Sequence, residues 1–141
     1  GVGGGVTDRL KEIVSDEKYP FEIIPVNNGE SSTDEFYDNL GTQIWGNIRE
    51  VLEENMTTNL NGGGPIIELP DDSSLIKELS TRKFKMTSRG RIRLESKDDM
   101  KKRNIGSPDI ADALALAFYE RRTHKPVDAK SVIDTYRKLG L

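Results

Sequence analysis

Between Ile110 and Phe118 every residue but one is Ala, Leu, Ile or Phe, and the exception is an acid, Asp112. A stretch of this length and composition reads as a helix that is apolar nearly all round, so it belongs inside a packed domain. A carboxylate carried into such surroundings is costly unless something compensates its charge. Asp109 lies three residues earlier, one turn back on the same helical face, so two carboxylates can point toward one place. Like charges that close repel unless a cation or proton sits between them, and Mg²⁺ or Mn²⁺ takes oxygen ligands of this kind. A plainer reading stands beside this one: Asp109 favours the helix dipole in the first turn, and Asp112 marks a wet stripe on an amphipathic helix.

The remaining composition narrows the chemistry further. The chain has no cysteine and a single histidine, His124, which excludes a disulfide framework or thiolate site and gives poor support to a His-rich zinc site or a Ser-His triad. A metal, if used, must be held by carboxylates. With 34% hydrophobic and 32% charged residues, the sequence reads as one soluble domain spanning residues 1–141. No apolar run approaches the roughly 20 residues of a membrane helix. The glycine-rich start lacks the blocks of a signal peptide, so a cytoplasmic protein without membrane contact is expected.

Net charge is only −3, yet it is unevenly spread. Ten basic residues fall between Arg82 and Arg103 against Glu95, Asp98 and Asp99, which leaves +7 in that stretch and −10 elsewhere. Such asymmetry can create a phosphate-attracting surface on an acidic protein.

Along the chain, the run Gly1 to Val6 suits a tight turn, followed by a helix capped by Thr7 or Asp8 and carrying Leu10, Ile13 and Val14 through about Ser15. Phe21–Val26 reads as a short strand, and a helix from Ser32 and Thr33 toward Asn55 carries Trp45 on its apolar face, weakened locally by Gly41 and Gly46. Trp45 is expected in the core. Ile66–Leu69 suggests a second short strand, and Asp71–Leu79 a short helix. Phe84–Thr87 and Arg91–Leu94 alternate apolar with basic residues around Ser88-Arg89-Gly90, the pattern of a hairpin with one wet face. Lys85, Arg89, Arg91 and Arg93 on that hairpin are candidate DNA-phosphate contacts, with a charge-protected solvated edge as the alternative. Ser96 starts a basic helix through Arg103, Ser107 and Pro108 open the helix of Asp112, and a last helix from Asp128 to Gly140 carries Val132, Ile133, Tyr136 and Leu139. His124, among Arg121, Arg122 and Lys125, is expected at the surface.

Lys97-Asp98-Asp99-Met100-Lys101-Lys102-Arg103, followed by Ser107-Pro108-Asp109-Ile110-Ala111-Asp112-Ala113-Leu114, resembles the closing motif of the nuclease domain in large terminase subunits of tailed phages. The opening from Gly1 to Leu10 is similar to the glycine turn and helix after that domain's second catalytic strand, and Ile66 to Arg103 resembles the segment between. The resemblance covers Gly1 to about Tyr119. It implies an α/β, RNase H-like fold in which acids on a central sheet and an adjacent helix hold two divalent ions, Mg²⁺ or Mn²⁺, for phosphodiester hydrolysis. By position, Asp112 corresponds to the last metal-binding acid, and Asp109 to an auxiliary site residue.

The family's other acids, on the first strand and just ahead of the glycine turn, would lie upstream of Gly1, as would the ATPase motor domain. The expectation is therefore the N-terminally truncated, C-terminal part of a DNA endonuclease domain that cuts concatemeric phage DNA during packaging, inactive by itself. Its implied partners are double-stranded DNA, the portal protein and the small terminase subunit, in the host cytoplasm. Truncation also predicts self-association through exposed apolar surface. Two other readings remain open: a non-catalytic DNA-binding or docking module, and another RNase H-like nuclease such as a junction resolvase.

Overall fold

The computed structural model of the chain describes residues 3–119. Its elements run α1 (Gly3–Asp16), α2 (Leu40–Leu60), α3 (Ser73–Thr81), β1 (Phe84–Met86), β2 (Ile92–Leu94), α4 (Lys97–Lys102) and α5 (Asp109–Leu116). The class is mixed helix and strand, as expected. Among the described residues, however, the only sheet is the antiparallel pair β1–β2, so they do not form the larger central sheet of the expectation. No helix among them is long and apolar enough to cross a membrane.

The long helix α2 is the axis of the core. Asn39 caps it, its side-chain oxygen accepting from the Thr42 amide at 2.9 Å and the Thr42 hydroxyl at 2.8 Å. Residues Thr42 to Ile48 are all buried, which is possible because α2 packs on α5 and on β2 at once, while α3 closes against α5. Ile44, Trp45, Ile48, Leu75, Leu94, Ala111 and Ala115 form the heart of this cluster with Leu40. Trp45 is thus in the core, 6% exposed. Thr42 stitches α2 to the hairpin: its hydroxyl, 1% exposed, accepts the Leu94 amide at 3.0 Å.

Several expected elements take another form. The glycines Gly3 to Gly5 begin α1 instead of making a turn before it; first-turn amides have no intrahelical partner anyway, so that end tolerates poor helix formers. α1 packs on none of the other elements, and Val6 and Leu10 stay exposed. Phe21–Val26 and Ile66–Leu69 are not strands, because no neighbouring strand among the described residues offers a ladder. Val26 packs on the core from an unpaired segment, and the amides of Ile66 and Ile67 bond the Asn55 side chain at 2.6 and 3.0 Å.

The second helix starts at Leu40, not at Ser32. Ser32 and Thr33 turn their hydroxyls and the Thr33 amide onto the Gln43 side-chain oxygen, at 2.8 to 3.2 Å, so the polar groups that suggested a cap serve a tertiary contact. Gly46 in α2 is a close-approach position: a Cβ there would collide with the Tyr37 ring, and Tyr37 in turn bridges to Ile92 of β2.

The later elements match the expectation more closely. Asp72 caps α3, accepting the Ser74 and Leu75 amides at 2.8 and 2.9 Å. The hairpin pairs Phe84 with Leu94, Lys85 with Arg93 and Met86 with Ile92, and Gly90, at φ +73°, supplies the left-handed turn residue. Ser96 caps α4 through the Asp99 amide at 3.1 Å, and Asn104 ends that helix at φ +57°. The expected helix over Asp128–Gly140 and His124 lie outside the described residues.

Candidate functional site

The site grows from the N-terminal turn of α5. Ser107 does not cap this helix; its hydroxyl donates to Asp109 Oδ1 at 2.5 Å. The cap comes instead from α3, whose Glu78 carboxylate accepts the Ala111 amide at 2.8 Å. An acid at a helix N-terminus satisfies an orphan amide and the positive end of the dipole together. Glu78, Asp109 and Asp112 therefore surround one helix end.

α5 is buried on one side only, at Ala111 and Ala115, while Ile110 and Leu116 are 46% and 47% exposed, so it is not the all-round buried helix its composition suggests, and Asp112 stands at the edge of its open face. Its side chain is 21% exposed and fully engaged. Oδ1 accepts from Trp45 Nε1 at 2.9 Å and from Arg82 Nη1 at 2.7 Å, and Oδ2 pairs with Lys97 Nζ at 2.9 Å. The Arg82 guanidinium lies over the Trp45 ring, 4.7 Å from its centroid, and donates through Nε to the Glu95 carbonyl at 3.1 Å. One carboxylate thus ties together α2, the exit of α3, the start of α4 and α5. Burial pulls the Arg82 pKa below its ordinary value, against the opposing pull of Asp112.

Lys97 bridges the two acids that the sequence places on one face. Its ammonium lies 2.9 Å from Asp112 Oδ2 and 3.2 Å from Asp109 Oδ1, and the bond to Asp112 raises its pKa first of all. Asp109 is much more open, 76% exposed. Its carboxyl is held below the usual range first by the Ser107 hydroxyl and then by Lys97.

A second ionic centre supports the first from behind. The Glu95 carboxylate, nearly buried, takes Arg103 Nη1 at 2.7 and 2.5 Å and the Lys83 amide at 3.1 Å, and the Arg103 bond is the main cause of its lowered pKa. Asp99, held by Lys102 and by Ser96, sits at about 2.

Glu95, Asp99 and Asp109 are all depressed below ordinary values of 4.5, 3.8 and 3.8. Below those values the unfolded chain binds protons that the fold refuses, so this stabilisation is complete above about pH 5 and is lost as pH falls from there toward about 2. Urea unfolding followed by the fluorescence of Trp45, the single tryptophan, is expected to show a midpoint that is flat above pH 5 and drops progressively below it. A midpoint unchanged at pH 3 would show that these pairs do not stabilise the fold.

As a metal centre, the described residues supply one edge only. Asp109 and Asp112 converge on a single cationic position, but no group of three or more His, Cys, Asp or Glu side chains that could hold an ion occurs among the described residues. Mg²⁺ takes about six oxygens, so the rest of a shell would have to come from water, phosphate or acids elsewhere.

The expected single wet face holds for β2, where Leu94 is buried and Arg93 exposed, but β1 is exposed on both faces, Phe84 by 36% and Met86 by 64%. Lys85 and Arg93 are cross-strand partners, and the charged end of each already pairs with an acid, Lys85 Nζ with Asp99 at 3.5 Å and Arg93 Nε with Asp38 at 3.3 Å. Arg89 and Arg91 are exposed at the tip. β2 ends at Leu94, three residues before Lys97, the cation that bridges the carboxylate pair.

The sequence alone does not single out Arg82, Lys97, Trp45 Nε1 or Glu78 for these roles. A lone acid in an apolar helix signals that a counter-charge exists, without naming it. No family model matches this chain, and neither a curated protein nor a solved structure matches it.

Proposed function

We propose that this chain is the C-terminal part of a metal-dependent DNA endonuclease domain of the phage large-terminase type, with Asp112 as a metal-binding acid and Asp109 as its auxiliary. The observation that carries this reading is the convergence of both carboxylates on one cation, Lys97 Nζ, at 2.9 and 3.2 Å. The pair is prepared to receive positive charge at an accessible edge, beside a strongly basic hairpin. In this reading Asp112 and Asp109 would help to hold divalent ions, Mg²⁺ or Mn²⁺, which would supply activation of a water and stabilisation of the leaving oxygen. This chain's own residues hold and orient: Trp45 and Arg82 fix Asp112, Ser107 fixes Asp109, and the hairpin takes the phosphate backbone.

The described elements then form one flank of an RNase H-like domain, and the unpaired segment Phe21–Val26 is where another strand would align. The proposed site needs further acids besides Asp109 and Asp112, and cleavage depends on them. Double-stranded DNA is the substrate, concatemeric phage DNA in the host cytoplasm, with the portal protein and small terminase subunit as partners and self-association through the exposed face of α1. Mn²⁺-dependent plasmid cleavage tests it: the chain extended upstream from its gene cuts and this chain alone does not. Cleavage by neither would remove the enzymatic reading.

A non-catalytic DNA-binding or docking module is the second reading, favoured by one observation. Trp45, Arg82 and Lys97 already satisfy the Asp112 carboxylate, so the arrangement stands as structure without an ion. Both readings place DNA on the hairpin. Replacing Arg89, Arg91 and Arg93 together with alanine is expected to weaken duplex binding and to flatten its log–log salt dependence by up to about 3, roughly one per lost phosphate contact. Fluorescence anisotropy across a salt series measures this, and an unchanged slope would put DNA elsewhere. Binding that ignores Mn²⁺, with no cleavage by the extended form, favours the module.

A further inference from the structure

We infer that the open edge of β1 takes the segment Phe21–Ile24 of a second copy of this chain, as a third strand of the hairpin sheet. The inference goes beyond the nuclease reading and does not depend on it. β1 is an edge strand among the described residues, whereas β2 is bridged on its far side to Tyr37. Bonds between the two strands fall at alternate residues: the Lys83 carbonyl accepts the Glu95 amide, and the Thr87 amide donates to the Arg91 carbonyl, each at 2.8 Å. Lys85 faces Arg93 in that register, so the amides and carbonyls of Phe84 and Met86 point to the open edge. Phe84 also lines an apolar hollow of about 320 Å³ with Trp45, Ile48, Leu52, Met56 and Leu79. One strand thus offers both halves of a strand-addition site, unpaired backbone and a hollow for side chains at alternate positions.

The chain carries a matching segment. Phe21-Glu22-Ile23-Ile24 has the composition of a strand but joins no sheet among the described residues, and Phe21 and Ile24 are 56% and 47% exposed. In an extended segment Phe21 and Ile23 fall on one side and Glu22 on the other, so docking on β1 sets the two apolar residues toward the hollow and Glu22 on the face of Lys85. Charge favours the pairing: from Asp16 to Glu22 three acids stand against Lys18, whereas Arg82 to Arg91 holds five basic residues and no acid. In its own chain the segment does not lie on the β1 edge. α1, just before it, packs on no other element, so this arm can pass to a neighbour while Val26, packed on the core, serves as its pivot. Exchange of one arm in each direction gives a closed twofold dimer.

Sedimentation velocity of the full chain across the micromolar range tests this with Met86→Pro and Phe21→Asp. The Met86 amide points away from β2, so proline there removes a donor from the open edge and leaves the β1–β2 ladder its bonds. The native chain is expected to dimerise, and each substitution should raise the dissociation constant at least about tenfold, the scale of one lost hydrogen bond. A native chain that stays monomeric overturns the proposal, whether the edge is bare or covered by the chain's own arm. A dimer that either variant leaves unchanged also overturns it, because the copies then meet elsewhere. Should Met86→Pro fail to fold, hydrogen exchange of the native chain decides: the Phe84 and Met86 amides should exchange more slowly as the dimer fills, and exchange that ignores concentration overturns the proposal.

Discussion

Trp45→Ala is expected to destabilise the chain by about 3–5 kcal/mol, the cost of emptying a large aromatic site in a core. Trp45 belongs to the buried cluster of Leu40, Ile44, Ile48, Leu75, Leu94, Ala111 and Ala115. It also forms the floor on which Arg82 lies and donates to Asp112, so the mutation frees the carboxylate as well as opening a cavity. Trp45→Phe separates the two effects. It keeps most of the apolar surface and loses the N–H, for which about 1–2 kcal/mol is expected. Urea unfolding by circular dichroism measures both, and a loss below about 1 kcal/mol for Trp45→Ala would contradict the placement of this ring at the centre of the core.

Asp112→Asn has two consequences that can be measured apart. In the chain itself it leaves the Arg82 guanidinium, 9% exposed, without its counter-charge, although an amide oxygen can still accept from Arg82 and Trp45. About 1–3 kcal/mol of stability should be lost. In a longer form of the domain, if the proposed nuclease reading holds, the same change removes a charged metal ligand and cleavage should fall by at least about 10²–10³-fold, the scale of losing one electrostatic contact at a reaction centre. Asp109→Asn, at a 76% exposed side chain, should cost little stability. A domain that loses cleavage in Asp112→Asn while remaining folded assigns the effect to the site and not to unfolding.

How far the sequence carries can be seen from single residues. Asp72 and Ser96 cap the helices that their positions announce, and Gly90 turns the hairpin, because these signals are satisfied within a few residues by local backbone. Ser32, Thr33 and Ser107 carry the same chemistry and mislead, since each spends its hydroxyl on a side chain, Gln43 or Asp109. Composition marks Phe21–Val26 as a strand, but a strand also needs a neighbour, and none lies beside it among the described residues.

The site divides in the same way. That Asp112 needs a counter-charge is legible from one helix. That the charge comes from Arg82 and Lys97, and a further hydrogen bond from Trp45, is not, because Arg82 is 30 and Trp45 67 residues away along the chain. Only packing brings them together. The Glu78 cap on α5, 33 residues from the amide it serves, is hidden for the same reason.

The proposal that Asp112 is a metal-binding acid of a nuclease is tested by the rate of supercoiled-plasmid nicking in Mn²⁺ by a longer form of the domain, with and without Asp112→Asn. Metal-dependent nicking is expected to disappear with the substitution while the circular dichroism spectrum stays that of the folded domain. Nicking at an unchanged rate in Asp112→Asn would contradict it and leave Asp112 as the structural partner of Arg82 and Lys97.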